Sequence, residues 1–227
     1  MAKGDQQAVA SYRLIVVGGH TRSIGKTQLV CDLIAALPEV NFIAGKITQY
    51  GHGVCAVNGE HCGCAPDEHA RAFNWETSTT SGTDSARFLA AGARRAFWLR
   101  TKQGFLAEGM PVLRESLKAV AADSGDTLLN MIVESNSLLQ FLKPALYLAV
   151  LDPRREDFKP TAQSVLDRAD AFVVRREIAS ATTSWPQVSA KLLHARRAFL
   201  QTEGEPVPPQ LLDLVRDSVT QADGVRI

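Results

Sequence analysis

The segment Gly18-Gly19-His20-Thr21-Arg22-Ser23-Ile24-Gly25-Lys26-Thr27 constrains this chain more than any other. It follows the apolar run Leu14, Ile15, Val16, Val17 and precedes a stretch with Leu29, Val30, Leu33, Ile34 and Leu37 on one helical face, closed by Pro38. A strand that turns through a glycine-rich loop into a helix aims backbone N–H groups and the positive end of the helix dipole at one point, where an anion is held. The pattern G-x-x-x-x-G-K-[ST] is met by Gly25, Lys26 and Thr27, whereas His20 stands at the first glycine position. Gly19, one residue earlier, can supply the tight turn with one extra loop residue. On this reading Gly19, His20, Arg22, Ser23, Ile24, Gly25, Lys26, Thr27 and Gln28 surround the phosphates of ATP or GTP. Amides from Ser23 to Thr27 donate, Lys26 supplies a compact cation, and the Thr27 hydroxyl faces Mg²⁺.

The rest of the chain repeats the alternation. Asn41 to Ile47 reads as a second strand, Thr48 to about Gly82 as a long loop or insertion, and Thr83 as the cap of a helix that stops at Gly92. Ala96 to Leu99 follows as a strand, and Pro111 opens a helix with Leu113, Leu117, Val120 and Ala121 on one face. Strands are expected at Leu128 to Val133, Ala145 to Leu151 and Ala171 to Val174. A short helix is expected from Ser137 to Leu142, and another from Pro160. Two closing helices would carry Val188, Leu192, Ala195 and Phe199, then Leu211, Leu212, Val215 and Val219. The expectation is a three-layer α/β P-loop NTPase fold with a mostly parallel sheet and its ligand at the carboxyl ends of the strands. Residues 1–12 would be a flexible N-terminus, 13–178 the domain with its insertion at 48–82, and 179–227 a helical extension packed on it.

Composition narrows the partners. With 227 residues the chain suits one sizeable core, and a formal charge of +1 gives no global field for nucleic acid. No apolar run approaches the roughly 20 residues of a bilayer span, and the polar start from Met1 to Ser11 has no secretory h-region. A reducing cytoplasm without membrane or nucleic-acid contact is expected. The four cysteines should then be thiols.

A bound triphosphate also needs a carboxylate near its metal. Glu134 ends an apolar strand at the ligand edge and is the first candidate, with Asp152 the second, although Pro153 explains a turn there equally well. Arg22 could reach phosphate oxygens. The Asn/Thr-Lys-x-Asp motif of many GTPases is missing after Val174, where Arg175-Arg176-Glu177 stands. A second constellation lies in the insertion. Cys62 and Cys64 can share an ion, and Cys55 with a histidine such as His61 would complete four ligands for Zn²⁺, with an iron–sulfur cluster as the alternative and reduced thiols as the plain reading. Cys31 lies within the first helix pattern and reads as core.

Four features together resemble the molybdopterin-guanine dinucleotide biosynthesis adaptor family of small P-loop proteins. They are Gly25-Lys26-Thr27, Lys46-Ile47-Thr48, Gly82-Thr83-Asp84-Ser85 with Ala91-Gly92-Ala93, and Val133-Glu134-Ser135. The resemblance spans about residues 13–175. It implies that Lys26, Thr27, Asp84 and Glu134 serve nucleotide and Mg²⁺, with weak ATP or GTP hydrolysis in support of cofactor assembly. The chain departs from the pattern at His20, Thr83 and Ser135 and in its Cys/His insertion. The first functional expectation is a homodimeric nucleotide-switched accessory protein acting on a client metalloenzyme or cofactor-assembly protein. The alternative is a kinase moving the γ-phosphoryl group to a small molecule, with Lys26 and Glu134 positioning it and Asp84 as base. A nucleotide-binding module without turnover is the third.

Overall fold

A computed structural model describes residues 11–50, 70–175, 185–202, 204–221 and 224. Eight strands form one sheet: β1 Ser11–Gly19, β2 Ile43–Tyr50, β3 Arg71–Trp75, β4 Arg95–Lys102, β5 Leu128–Glu134, β6 Leu146–Leu151, β7 Ala171–Val174 and β8 Arg197–Leu200. Their order is β3-β4-β2-β5-β1-β6-β7-β8, and every pair is parallel except the edge pair β3–β4. Parallel strands need covered faces, and the sequence of β1 shows how both are built. Leu14 and Val16 enter one core while Ile15 and Val17 enter the other, the period-2 alternation of a strand buried on both sides.

One face is covered by the helices α1 Lys26–Ala36, α2 Asp84–Ala90 and α6 Pro209–Thr220, whose Leu29, Leu33, Phe88, Leu211 and Val215 are fully buried. The other is covered by α3 Leu106–Ser124, with the short helices α4 Pro160–Gln163 and α5 Ala190–Ala195 beside it. This is the three-layer α/β arrangement expected from the alternating pattern. Gly45 in β2 leaves room for the ring of its in-register neighbour Phe97 on β4, because a Cβ there would stand 2.2 Å from Phe97 Cζ.

Several boundaries differ from the sequence expectation. The second strand begins at Ile43 rather than Asn41, since Asn41 takes a left-handed conformation (φ 56°), and it extends to Tyr50 through pairing with Lys102. The segment expected to be loop from 48 to 82 contains β3, which pairs antiparallel with β4 and stacks Phe73 on Phe97. Pro111 lies inside α3 instead of opening it. That helix starts five residues earlier, where Leu106 and Met110 enter the core and Gly109 sits against Thr101. The helix from Pro160 ends at Gln163 and gives way to a 3₁₀ turn at Leu166–Arg168. The expected helical face through Phe199 divides into α5 and the strand β8, whose pairing with β7 overrides the helical spacing of Val188 and Leu192. Among the described residues no helix is long and apolar enough to cross a membrane.

Candidate functional site

The loop between β1 and α1 emerges at the carboxyl edge of the sheet, flanked by the ends of β5 and β6. Ser23 (φ 53°) and Gly25 (φ 83°) both take left-handed backbone, and this turns the chain into α1. The tight approaches explain the glycines before them. A Cβ on Gly18 would lie 2.3 Å from Asn136 Oδ1, and one on Gly19 would lie 2.9 Å from both Ile24 Cδ1 and Lys26 Cδ. Asn136 clamps Gly19 on both sides of its backbone, accepting from its N–H at 2.9 Å and donating to its carbonyl at 2.9 Å.

His20, which stands where the general pattern has glycine, turns away from the loop. Its side chain is fully buried, its ring lies against Phe158 and Trp185 at centroid distances of 5.1 and 4.8 Å, and its N–H is given to the Val150 carbonyl. Nδ1 meets the Asp157 carbonyl at 2.9 Å and Nε2 accepts from the Asp152 N–H at 3.1 Å, which fixes the tautomer with its proton on Nδ1. Burial lowers the imidazole pKa, against the opposing pull of the Asp157 carbonyl and carboxylate. The Thr21 hydroxyl bonds the Asp157 carboxylate, and the Lys159 N–H donates to the His20 carbonyl at 2.9 Å. His20 therefore staples the loop to the segment after β6.

Lys26 folds back over the loop and donates from Nζ to the Thr21 carbonyl at 2.5 Å. Burial depresses its pKa to about 8, with Glu134 pulling the other way. The Thr27 hydroxyl donates to Glu134 Oε2 at 2.7 Å. Glu134, 4% exposed, ends β5 opposite Val17 of β1 and Lys46 of β2. Side chains in register on neighbouring strands meet, and Lys46 Nζ reaches Glu134 Oε1 at 2.5 Å and Asp84 Oδ2 at 2.8 Å. Desolvation works against the Lys46 charge, but the two carboxylates outweigh it and raise its pKa. Thr83 caps α2 by accepting from the Ala86 N–H at 3.1 Å, which sets Asp84 at the first turn facing Lys46.

The structure thus brings Lys26, Thr27, Glu134 and Asp84 together. Arg22 and Ser23 are exposed at the rim, and Gln28 turns to Asp32 and Arg87 at 2.7 Å each. Asp152, the second acidic candidate, is held by Arg154 through a bidentate pair (2.9 and 2.7 Å), which keeps its carboxyl below the usual range. Cys55, His61, Cys62 and Cys64 lie outside the described residues. Among the described residues no group of three or more His, Cys, Asp or Glu is placed to hold a metal ion. Cys31 is buried in α1, and desolvation pushes its thiol up to about 11, as suits a core residue.

Asn136 and Arg175 carry no site signal in the sequence, and Lys46 stands out there only through the family resemblance. Asn136 and Arg175, the latter donating to the Ile24 carbonyl at 3.2 Å and to that of Gly25, act across more than a hundred residues of chain.

An apolar strand feeding a Gly-Lys-Thr loop at a helix N-terminus, with an acid at the end of the adjacent parallel strand, defines the P-loop NTPase class of fold. No family model and no curated protein matches the chain. Similar solved structures include HypB from Helicobacter pylori in complex with nickel, at 11% identity over 94% of this chain and 88% of that one, with a TM-score of 0.48. LpxK from Aquifex aeolicus in complex with ATP is similar at 14% identity over 76% of this chain and 54% of that one, with a TM-score of 0.42.

Proposed function

We propose that this protein binds a nucleoside triphosphate with Mg²⁺ in the 18–28 loop and hydrolyses it slowly, as an accessory factor in metal or molybdenum-type cofactor assembly. The observation that carries the nucleotide reading is the Thr27–Glu134–Lys46 constellation beside a half-buried Lys26 at the mouth of the loop. Two lysines and the amides of the loop suit a polyanion.

The oxygen pair Thr27 Oγ1 and Glu134 Oε2, 2.7 Å apart, is a hard donor set of the kind Mg²⁺ takes, usually with retained waters. Thr27 would hold the ion and Glu134 its waters. When bound, the ion neutralises charge developing on the phosphates. This chain's own residues do the rest. The loop amides and Lys26 bind and orient the phosphates, Lys26 exchanging the Thr21 carbonyl for a phosphate oxygen. Lys46 is the second cation on the Glu134 side, held in reserve by Asp84 and Glu134. The 51–69 segment that carries Cys55, His61, Cys62 and Cys64 begins after Tyr50 and ends before Ala70, whose carbonyls accept from Gln103 and Lys102 at 2.8 Å each. Tyr50 and Ala70 lie at the carboxyl end of β2 and β4, beyond Lys46, which stands midway along β2. The adaptor-family resemblance supports a cargo role for the thiols. Asp84, 36% exposed beside Lys46, supports the second reading, in which it is the base for phosphoryl transfer to a small acceptor.

Titration of the protein with Mg²⁺ and ATP or GTP, followed by phosphate release with and without candidate acceptors, tests the proposal. Wild type should bind, Lys26→Ala should lose most affinity, and Glu134→Gln should lose Mg²⁺ dependence. A wild type indifferent to every triphosphate defeats it. Elemental analysis of the same sample with Cys62→Ser and Cys64→Ser tests the cargo part.

A further inference from the structure

Arg175 follows β7 and is only 7% exposed, a cation placed apart from the Lys26, Lys46 and Glu134 cluster. Its guanidinium donates from Nε to the Ile24 carbonyl at 3.2 Å, from Nη2 to the Gly25 carbonyl, and from Nη1 to Gln201 Oε1 at 2.7 Å. It packs so closely beneath the loop that a Cβ on Gly25 would lie 2.7 Å from Nη2. In a trans peptide the carbonyl of one residue and the N–H of the next point in opposite directions. Pinning the Ile24 carbonyl, and sharing the Gly25 carbonyl with the Leu29 N–H of α1 at 2.9 Å, therefore turns the N–H groups of Gly25 and Lys26 away from the guanidinium. A cation on the carbonyl end of a peptide also polarises it and strengthens its N–H as a donor.

We propose that Arg175 is a positioning residue for polyphosphate, holding the Gly25 and Lys26 amides in their anion-binding orientation through the loop backbone. Two carbonyls side by side suit the planar fork of arginine, which a single ammonium cannot reproduce. The fork is itself fixed: Gln201 Nε2 donates to Asp32 Oδ2 at 3.1 Å, and Asp32 Oδ1 accepts from Gln28 Nε2 at 2.7 Å. The clamp is thus tied to the second turn of α1 as well as to the sheet. This assignment rests on the loop being a phosphate site.

The test titrates wild type, Arg175→Lys and Arg175→Ala with magnesium tripolyphosphate, which has no base or ribose, and with Mg·ATP, using circular dichroism and thermal unfolding to check folding. Arg175→Ala should bind tripolyphosphate about tenfold more weakly or worse, the usual consequence of losing a charged hydrogen bond. Arg175→Lys should fall between. Millimolar guanidinium should restore part of the affinity of Arg175→Ala, while ammonium at equal ionic strength should not. Folded variants that bind like wild type overturn the assignment. So does equal rescue by ammonium, and so does failure of both variants to fold, since the residue is then purely structural. A wild type that binds neither ligand overturns the phosphate-loop reading itself, and the wild-type titration alone reveals that case.

Discussion

Lys26 is a cation kept where burial disfavours its charge, with a pKa near 8 against an ordinary value of 10.5. A polyanion in the loop raises that pKa again, so binding above pH 8 must take up a proton. Nucleotide affinity should hold from neutral pH up to about pH 8 and then fall by up to tenfold per unit, a bend that calorimetry should lose in Lys26→Met. Stability of the ligand-free protein runs the other way. Between about 8 and 10.5 the unfolded chain holds the Lys26 proton more tightly than the folded one, so this group makes the empty protein more stable as pH rises through that window. His20 carries a second signature. Its lowered pKa means the unfolded chain takes a proton first as pH falls below about 6.5, and protonating Nε2 would set two donors against each other at the Asp152 N–H. Stability should therefore drop on acidification. His20→Ala should cost about 2–4 kcal/mol at neutral pH through lost packing on Phe158 and Trp185, with a shallower acid dependence, both read by urea unfolding.

Elements show where local pattern decides and where it yields. Gly45 lies in the middle of β2, in register with Phe97 of β4, and the ring occupies the space a side chain would need. Gly45→Ala must push Phe97 off its rotamer or spread the strands, and about 1–3 kcal/mol should be lost in thermal or denaturant unfolding with the sheet otherwise retained. The central strands were legible because Leu14 to Val17, Leu128 to Val133 and Ala145 to Leu151 are apolar runs too short for helices, and Glu134 was legible as a lone acid at the end of one. β3 was not, because its five residues, all exposed or half-exposed, gain their strand character only from pairing with β4. The start of α3 was misplaced because Pro111 is commonest at a first turn, whereas here Leu106 and Met110 bury enough surface to carry the helix past a missing N–H. The roles of Asn136 and Arg175 had no local signature. Their partners Gly19 and Ile24 are 117 and 151 positions away, and only the folded topology brings them together.

At the scale of the whole molecule, the residues after α5 complete the layer that carries the loop. β8 extends the sheet beyond β7, and α6 lays Leu211, Val215 and Val219 into the same core as Ile15, Val17, Leu29 and Leu33. Phe199 and Val207 join them there. At about 1.5–3 kcal/mol for each buried apolar side chain, these five contribute roughly 8–15 kcal/mol of burial. Net stabilities of domains are about 5–15 kcal/mol, so the layer cannot be spared. The same segment carries Gln201, which holds the guanidinium of Arg175 against the loop. A chain ending at Ala195 should accordingly lose its cooperative thermal transition, bind a hydrophobic dye and fail to bind tripolyphosphate. A truncated chain that melts cooperatively and still binds would show that the sheet from β1 to β7 closes its own core, and that β8 and α6 are an attachment to a complete domain. Leu211→Asp in the untruncated 227-residue chain separates the two contributions. It places a charge in the α1–α6 core while leaving β8 and Gln201 in the sequence, so it should lower the melting temperature steeply, yet whatever fraction remains folded should bind with wild-type affinity.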